Sequence, residues 1–464
     1  MEYINVLNPL DDRYKDQISG LSDIFSEKSF FKYRAKVELK YLYDITSLVE
    51  IKFKNNTPGN RKKIFKIAEI SDSDFFIIKK IEKEGYKNIK ATNHDVKALE
   101  YFIQLKLKEL RLHEFIPYVH FALTSEDTNN IAYSLMLRDA MEKELIPLIC
   151  NISDTLKDLA KKYRDLPILA RTHGQPASPT TFGKEFKVFQ SRLERKVKKI
   201  KDTKIEAKLN GATGNYNAHK IAYPEIDWIT FSKKFINSFN KDDNEIQLSP
   251  NLITTQIEPR DSYAEIFDLF KQVNCILLDM SQDLWRYISD NWLILKPVEG
   301  EIGSSTMPHK VNPIDFENAE GNLGIANSLL NYLSMKLPIS RLQRDLSDST
   351  VLRNIGTSFG YCVVAYKSII KGIKKIQPNE EVTKKILEDN YQVIAEAIQT
   401  IFRREGIQNA YEILMENSRD KQFTPEVLEK ILKDLKINKK TKKEILSLLP
   451  SKYIGLAKEI ASLK

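Results

Sequence analysis

Between Arg260 and Lys296 the chain runs without a single Gly or Pro. Apolar side chains fall at Tyr263, Ile266, Phe267, Phe270, Val273, Ile276, Leu277, Met280, Leu284, Trp285 and Ile288. Steps of three and four keep one face apolar, because an α-helix turns once every ~3.6 residues. The run therefore predicts one helix much longer than ordinary globular helices. Pro259 stands just ahead of it, where a helix start tolerates a missing N–H. A stripe of that length is buried most simply against other long helices, which predicts a bundle.

Three further stretches read the same way. Lys184–Asn210 places Phe186, Phe189, Leu193, Val197 and Ile200 on one stripe and Lys/Arg on the other. Another helix begins near Ser125 and runs toward Pro147, and a fourth follows Pro313 toward Pro338. Several are apolar over more than one face, which predicts that the bundle is buried again in an oligomer. The expected fold is all-α, with three helical domains: residues 1–113, a central long-helix bundle at 114–364, and residues 365–464. In the last of these, Thr424–Pro425–Glu426 reads as a helix N-cap.

Charge narrows the partners. Lys and Arg number 72 against 63 Asp and Glu, a net +9 spread along all 464 residues. Such a field attracts anionic metabolites as well as nucleic acid. The densest basic runs, RKVKKIK (195–201) and KINKKTKKE (436–444), carry no interleaved aromatics and read as solvated helix faces, so nucleic acid is not an expected partner. Cys150, Cys275 and Cys362 lie far apart among apolar residues, which predicts reduced core thiols. No zinc spacing is present, and the expected metal and cofactor complement is none. The N-terminus lacks a basic and apolar leader, and no run approaches the ~18 apolar residues of a membrane span. These readings predict a cytoplasmic protein with no membrane partner.

Five segments carry candidate chemistry. VEGEIGSSTMPHKVNP (298–313) packs Gly300, Gly303, Ser304, Ser305, Lys310 and Asn312 between two helical patterns. Its small residues leave backbone N–H groups free to surround an anion, and Lys310 and Asn312 add donors just before a helix start. A serine base there needs its alkoxide stabilised, which Lys310 and the loop amides can supply. LARTHGQPASPTT (169–181) sets His173 in a connecting loop, with Glu317 available as a carboxylate to hold its protonated form. ATNHDVKALEYF (91–102) offers Thr92 and Asp95 as a capping box with His94 inside, and HFALTSEDTNN (120–130) offers Thr124 and Ser125 before Glu126 and Asp127. SRLQRDLSDSTVLRN (340–354) gathers Arg341, Arg344 and Arg353 near Ser347, Ser349 and Thr350, a donor set that suits a phosphate.

Taken together, these strings resemble the fumarase/aspartase superfamily, whose signature loop GSSTMPHKVNP is similar to. THGQPASPTT, TNHD, TSEDTNN, NGATGNYNAH (210–219), TTQIEP (254–259) and LSDSTVLRN are similar to the adenylosuccinate lyase family, especially its bacterial-like branch. The resemblance runs from Arg13–Tyr14 to Tyr453–Ile454–Gly455. It implies β-elimination of fumarate from adenylosuccinate to give AMP, and from SAICAR to give AICAR. It implies Ser304 as general base, His173 as general acid supported by Glu317, and His94, with Asn93 and Asp95, as a second site histidine. Thr124, Ser125, Gln256, Ser305, Lys310, Asn312 and Asn318 are implied to grip the succinyl carboxylates or the nucleotide. Arg13, Tyr14, Arg344, Ser349, Thr350 and Arg353 are implied on the nucleotide and phosphate side. A homotetramer with sites shared between subunits is implied, and no cofactor. Residues 237–251, longer and more polar than in relatives, are expected to extend a surface loop. The rival readings are another lyase of the superfamily, a basic nucleic-acid-binding protein, and an inactive homologue.

Overall fold

The computed structural model describes residues 6–48, 53, 55–296, 307, 310–418 and 423–463. Among the described residues helices dominate, and the strands form four two-stranded pairs. One compact unit gathers residues 1–149, 196–275 and 321–367, and a second gathers 150–195, 276–320 and 368–464. The boundaries fall inside long helices, among them Asp261–Ser289, Ile314–Lys336 and Ile355–Lys375.

The long Gly- and Pro-free run folds as the Asp261–Ser289 helix, shorter at its C-terminal end than the pattern predicts. Asn291 adopts φ 59°. Its N–H donates to the Ile288 carbonyl (3.0 Å), and the Trp292 N–H donates to the Tyr287 carbonyl (2.8 Å). This is a Schellman stop with Asn in the left-handed position, and Trp292 stacks on Tyr287 at 5.5 Å to complete it. The chain then enters the strand Leu293–Leu295, antiparallel to Ile376–Pro378.

Pro147 does not end its helix. Ser125–Ala140 passes through a π-turn at Met141–Leu145 and continues as Ile146–Lys162. The wider turn accommodates a residue that cannot donate to the ladder and would clash with the preceding turn. Phe182–Lys201 is the helix expected after residue 184, but its C-terminal continuation is the strand Lys204–Ala207. That strand pairs in parallel with Gln247–Pro250. The expected surface loop at 237–251 is therefore partly ordered structure. Asn240 brackets Leu248 with two hydrogen bonds, and Glu142 accepts from Asn244 and from the Ile246 N–H. Of the three cysteines only Cys362 lies in the core; Cys150 is half-buried and Cys275 exposed.

The first unit also buries ions. Arg260, fully buried and at φ 67°, donates to Glu126 and lies 3.4 Å from Asp348. Glu126 also accepts from Arg344 at 3.0 Å. Each carboxylate sits in the first turn of a helix, Ser125–Ala140 or Ser347–Leu352, and Arg260 immediately precedes Asp261–Ser289. One guanidinium thus joins three helix starts. Arg260→Met should lower stability by about 3 kcal/mol, the scale for breaking a buried ion cluster. Urea denaturation followed by circular dichroism checks this, with wild-type stability in the variant as the contrary result.

Candidate active site

In the first unit a cavity of about 510 Å³ opens over the starts of two helices. His94 is the N-cap of Asp95–Glu109, and its Nδ1 accepts from the Lys97 N–H at 3.2 Å. The expected Thr92–Asp95 capping box is absent because the imidazole takes its place. Thr92 instead bonds both the N–H and the carbonyl of His94, while Asn93 turns at φ 47°. With Nδ1 accepting, the neutral ring carries its proton on Nε2. Thr124 opens the second helix, its N–H donating to Asp127 Oδ2 at 2.9 Å, so this capping reading holds.

Asp127 also shapes the far wall. Fully buried, it accepts from the Asn210 and Gly211 N–H groups and pairs with buried Lys208 at 3.1 Å. That fixes the NGATGNY loop, whose Ala212 and Thr213 line the cavity. Gly214, at φ 82°, lies so close to the Thr254 carbonyl that a Cβ would fall 2.3 Å from it. This close approach sets the loop against the segment carrying Gln256.

His94, Asp95, Thr124, Ser125, Gln256, Arg344 and Ser349, all predicted from sequence, line this one cavity. Arg353 lies 3.5 Å from Asp95 and lines a smaller neighbouring cavity with Asn8, Leu10 and Asp11. Asn93, Arg13, Tyr14 and Thr350 do not line the main cavity; Arg13 and Tyr14 sit in the turn between the short helices Pro9–Asp11 and Lys15–Gln17. Arg341 is exposed. One lining residue lies outside every segment that the sequence singles out, Arg34, and Asn129 lies inside the TSEDTNN string without having been given a role. Arg34 and Glu38 stand one helical turn apart, both buried, within the Glu27–Thr46 helix. Charged residues at core positions of an apolar stripe were the available signal.

Burial would raise the Asp95 carboxyl, but Arg34 at 2.8 Å outweighs it and holds Asp95 below the usual range. Nearby, burial disfavours a charged His120, yet Glu38 at 2.6 Å outweighs it and raises the imidazole above its usual value. His219, buried with neither ring nitrogen hydrogen-bonded among the described residues, is pushed down to about 4 by burial.

The second unit holds the remaining predicted residues. His173 sits not in a simple connecting loop but at the tip of a β-arm. Pro167–Ile168 pairs with Thr180–Thr181 at the base, and Arg171–Thr172 with Gln175–Pro176 near the tip. His173 (φ 53°) and Gly174 (φ 75°) form the two-residue turn, a primed hairpin type that needs positive φ at both positions. His173 is exposed. Glu317, in the first turn of Ile314–Lys336, accepts from Trp285 Nε1 at 3.0 Å. No hydrogen bond or ion pair joins it to His173 among the described residues. Lys310 is exposed and its N–H donates to the Met307 carbonyl, Asn312 lies two residues on, and Asn318 accepts from Ser368 at 2.8 Å. Ser304 and Ser305 lie outside the described residues.

Among the described residues no cluster of His, Cys, Asp and Glu could hold a metal, and no helix is long and apolar enough to cross a membrane. The class follows from comparison with known proteins: residues 12–326 match the family described as Lyase. The solved structures it resembles include 3-carboxy-cis,cis-muconate lactonizing enzyme from Pseudomonas putida (TM-score 0.73, 20% identity, 98% of each chain). A fumarate lyase from Mesorhizobium sp. BNC1 superposes with a TM-score of 0.70 at 18% identity, covering 96% of each chain. Residues 340–454 match the family described as Adenylosuccinate lyase C-terminal. Adenylosuccinate lyase of Escherichia coli K12 is 45% identical over 459 residues, 98% of this chain and 97% of that one. The Dictyostelium discoideum adenylosuccinate lyase is 45% identical over 463 residues, again 98% and 97%. The chain belongs to the adenylosuccinate lyase family.

Glu258, two residues past Gln256, supplies a pH test of this wall. Burial raises its carboxyl from 4.5 to about 7, although it accepts from the Arg260 N–H and from Asn251. The folded protein therefore keeps a proton that the unfolded chain releases, so stability falls as pH rises from about 4.5 to about 7. Glu258→Gln should remove that slope, worth up to about 3 kcal/mol across the window. Thermal melts across this range check it, and an unchanged slope contradicts it.

Proposed function

We propose that this protein cleaves adenylosuccinate to AMP and fumarate, and SAICAR to AICAR and fumarate, by anti β-elimination. The observation that carries the reading is one cavity lined by seven of the residues that the family resemblance implies for the site. Ser304 removes the proton from the succinyl Cβ, and the electron pair is delocalised into the adjacent carboxylate. Lys310 and Asn312, just ahead of the Ile314–Lys336 helix, stabilise the charge that develops there. The C–N bond then breaks, and His173 protonates the departing nitrogen. Glu317 supports His173, His94 orients the substrate, and Ser305, Asn318 and Gln256 hold its carboxylates or base. Arg344, Ser349, Thr350 and Arg353 take the phosphate, with Arg13 and Tyr14 on the nucleotide and Asn93 and Asp95 beside His94.

The reading includes a homotetramer whose subunits share sites. What supports it is His173, exposed at an arm tip with no hydrogen bond or ion pair to Glu317 among the described residues, and an apolar stripe on Ile314–Lys336. On that helix Ile325, Tyr332 and Met335 are 47%, 56% and 64% exposed at helical spacing, an arrangement that soluble chains usually cover with a partner. Light scattering should give four times the 53.7 kDa chain mass, and Tyr332→Glu should reduce it. A monomer in the wild type contradicts shared sites.

Fumarate release from adenylosuccinate, SAICAR and argininosuccinate tests the reaction itself. Activity confined to argininosuccinate overturns it. Ser304→Ala should abolish most turnover with assembly intact, and His173→Ala should cut kcat by about 10²–10⁴-fold, as for a lost general acid. Near-normal kcat in either variant refutes that assignment.

A further inference from the structure

Arg34 is the buried charge on the cavity wall that none of the roles above uses. Its side chain is 3% exposed, and its guanidinium carbon lies over the Phe30 ring, 3.6 Å from the centroid. Nε donates to Asn129 Oδ1 and Nη1 to Asp95 Oδ2, each at 2.8 Å. Nη2 makes no hydrogen bond among the described residues, and it is not sealed from solvent as Arg344 Nε and Arg260 Nε are. Arg34 lines the main cavity, and Nη2 is the guanidinium nitrogen whose donors remain for a ligand there.

Charge around the cavity points the same way. Among the described residues, the four guanidiniums of Arg34, Arg260, Arg344 and Arg353 share ion pairs with three carboxylates, those of Asp95, Glu126 and Asp348. Asp345, also on the wall, does not correct the balance, since it pairs with Arg341 at 4.0 Å. Asp95 holds Arg34 at 2.8 Å and Arg353 at 3.5 Å, so the two guanidiniums share one carboxylate. An incoming anion completes the set. Ring stacking and two fixed hydrogen bonds remove the rotamer freedom a surface arginine would lose on binding.

We propose that Arg34 is a substrate-binding residue of this cavity, its Nη2 donating to a phosphate oxygen of the bound nucleoside monophosphate. The proposal rests on the reaction assigned above. It takes the phosphate rather than a succinyl carboxylate because Arg34 shares its counter-ion with Arg353 and its cavity with Arg344 and Ser349, the phosphate-side residues.

Calorimetric titration of the assembled enzyme with AMP, adenosine and fumarate tests this. Arg34→Met should weaken AMP binding by about 10- to 100-fold, the range for a lost charge-assisted hydrogen bond. Adenosine and fumarate affinities should stay within about twofold of wild type on the same reasoning. Equal losses for AMP and adenosine would make Arg34 a purely structural residue, and a loss confined to fumarate would move it to the succinyl end; either overturns the proposal. Arg344→Met separates the two levels of inference. If it weakens AMP while Arg34→Met does not, the Arg34 assignment fails alone; if neither does, the phosphate reading of the cavity fails. Should Arg34→Met not fold, Arg34→Lys carries the test. It keeps the charge but cannot serve Asp95, Asn129 and a phosphate at once, so AMP affinity should fall about tenfold relative to adenosine, and an unchanged ratio overturns the assignment.

Discussion

The cavity depends on the buried guanidinium of Arg260. Removing an arginine from water is costly unless its charge is met at short range, so Glu126 and Asp348 must stay where they are. Those two carboxylates belong to the first turns of different helices, and Arg260 itself begins a third. Satisfying one ion therefore fixes the mutual position of three helix starts. Glu126 carries the constraint to Arg344, which lines the cavity. Asp127, the next residue, does the same for the opposite wall through the Asn210 and Gly211 amides.

This division of labour fixes the groups that line the cavity in place through buried ion pairs and hydrogen bonds. Helix starts present unpaired N–H groups, and the hydroxyls of Thr124 and Ser125 sit at one of them. Aromatic packing backs the polar wall, with Phe30 beneath Arg34 and Tyr133 packed at a tilt against Phe30, ring centroids 4.4 Å apart. Preorganisation of this kind lowers the ordering cost of binding an anion whose charge is spread over several oxygens. The β-arm holds His173 by a different means. Its tip is exposed, and its anchors are Arg171 over Trp292 at 5.4 Å and Ser178 donating to Glu396, which also accepts from Tyr453.

Much of the site was legible because its residues sit in local sequence contexts with their own logic. Thr124 before Asp127 is a capping pattern read over four residues, and it folds as read. His94 was noticed because histidine is an unusual cap; only the fold revealed that its own Nδ1 does the capping. Arg34 was missed because its partners, Asp95 and Asn129, are distant in sequence. The β-arm was missed as well. Its strands are two residues each, too short for alternation to register, and only the His173–Gly174 turn hinted at a hairpin.

The sequence by itself determined the long helices, since a 3.6-residue apolar period is a local property that packing need only accept. It also determined the segments where chemistry concentrates, because Gly/Ser loops, capping hydroxyls and clustered arginines are readable in order. Tertiary structure decided where elements stop and which charges meet. Asn291 ends the longest helix by a left-handed turn that becomes favourable once Trp292 stacks on Tyr287, and Pro147 is absorbed into a helix by a π-turn. Most of all, it decided that Arg260 would be buried against Glu126 and Asp348. Electrostatic pairing depends on distance in space, which residue order alone does not encode.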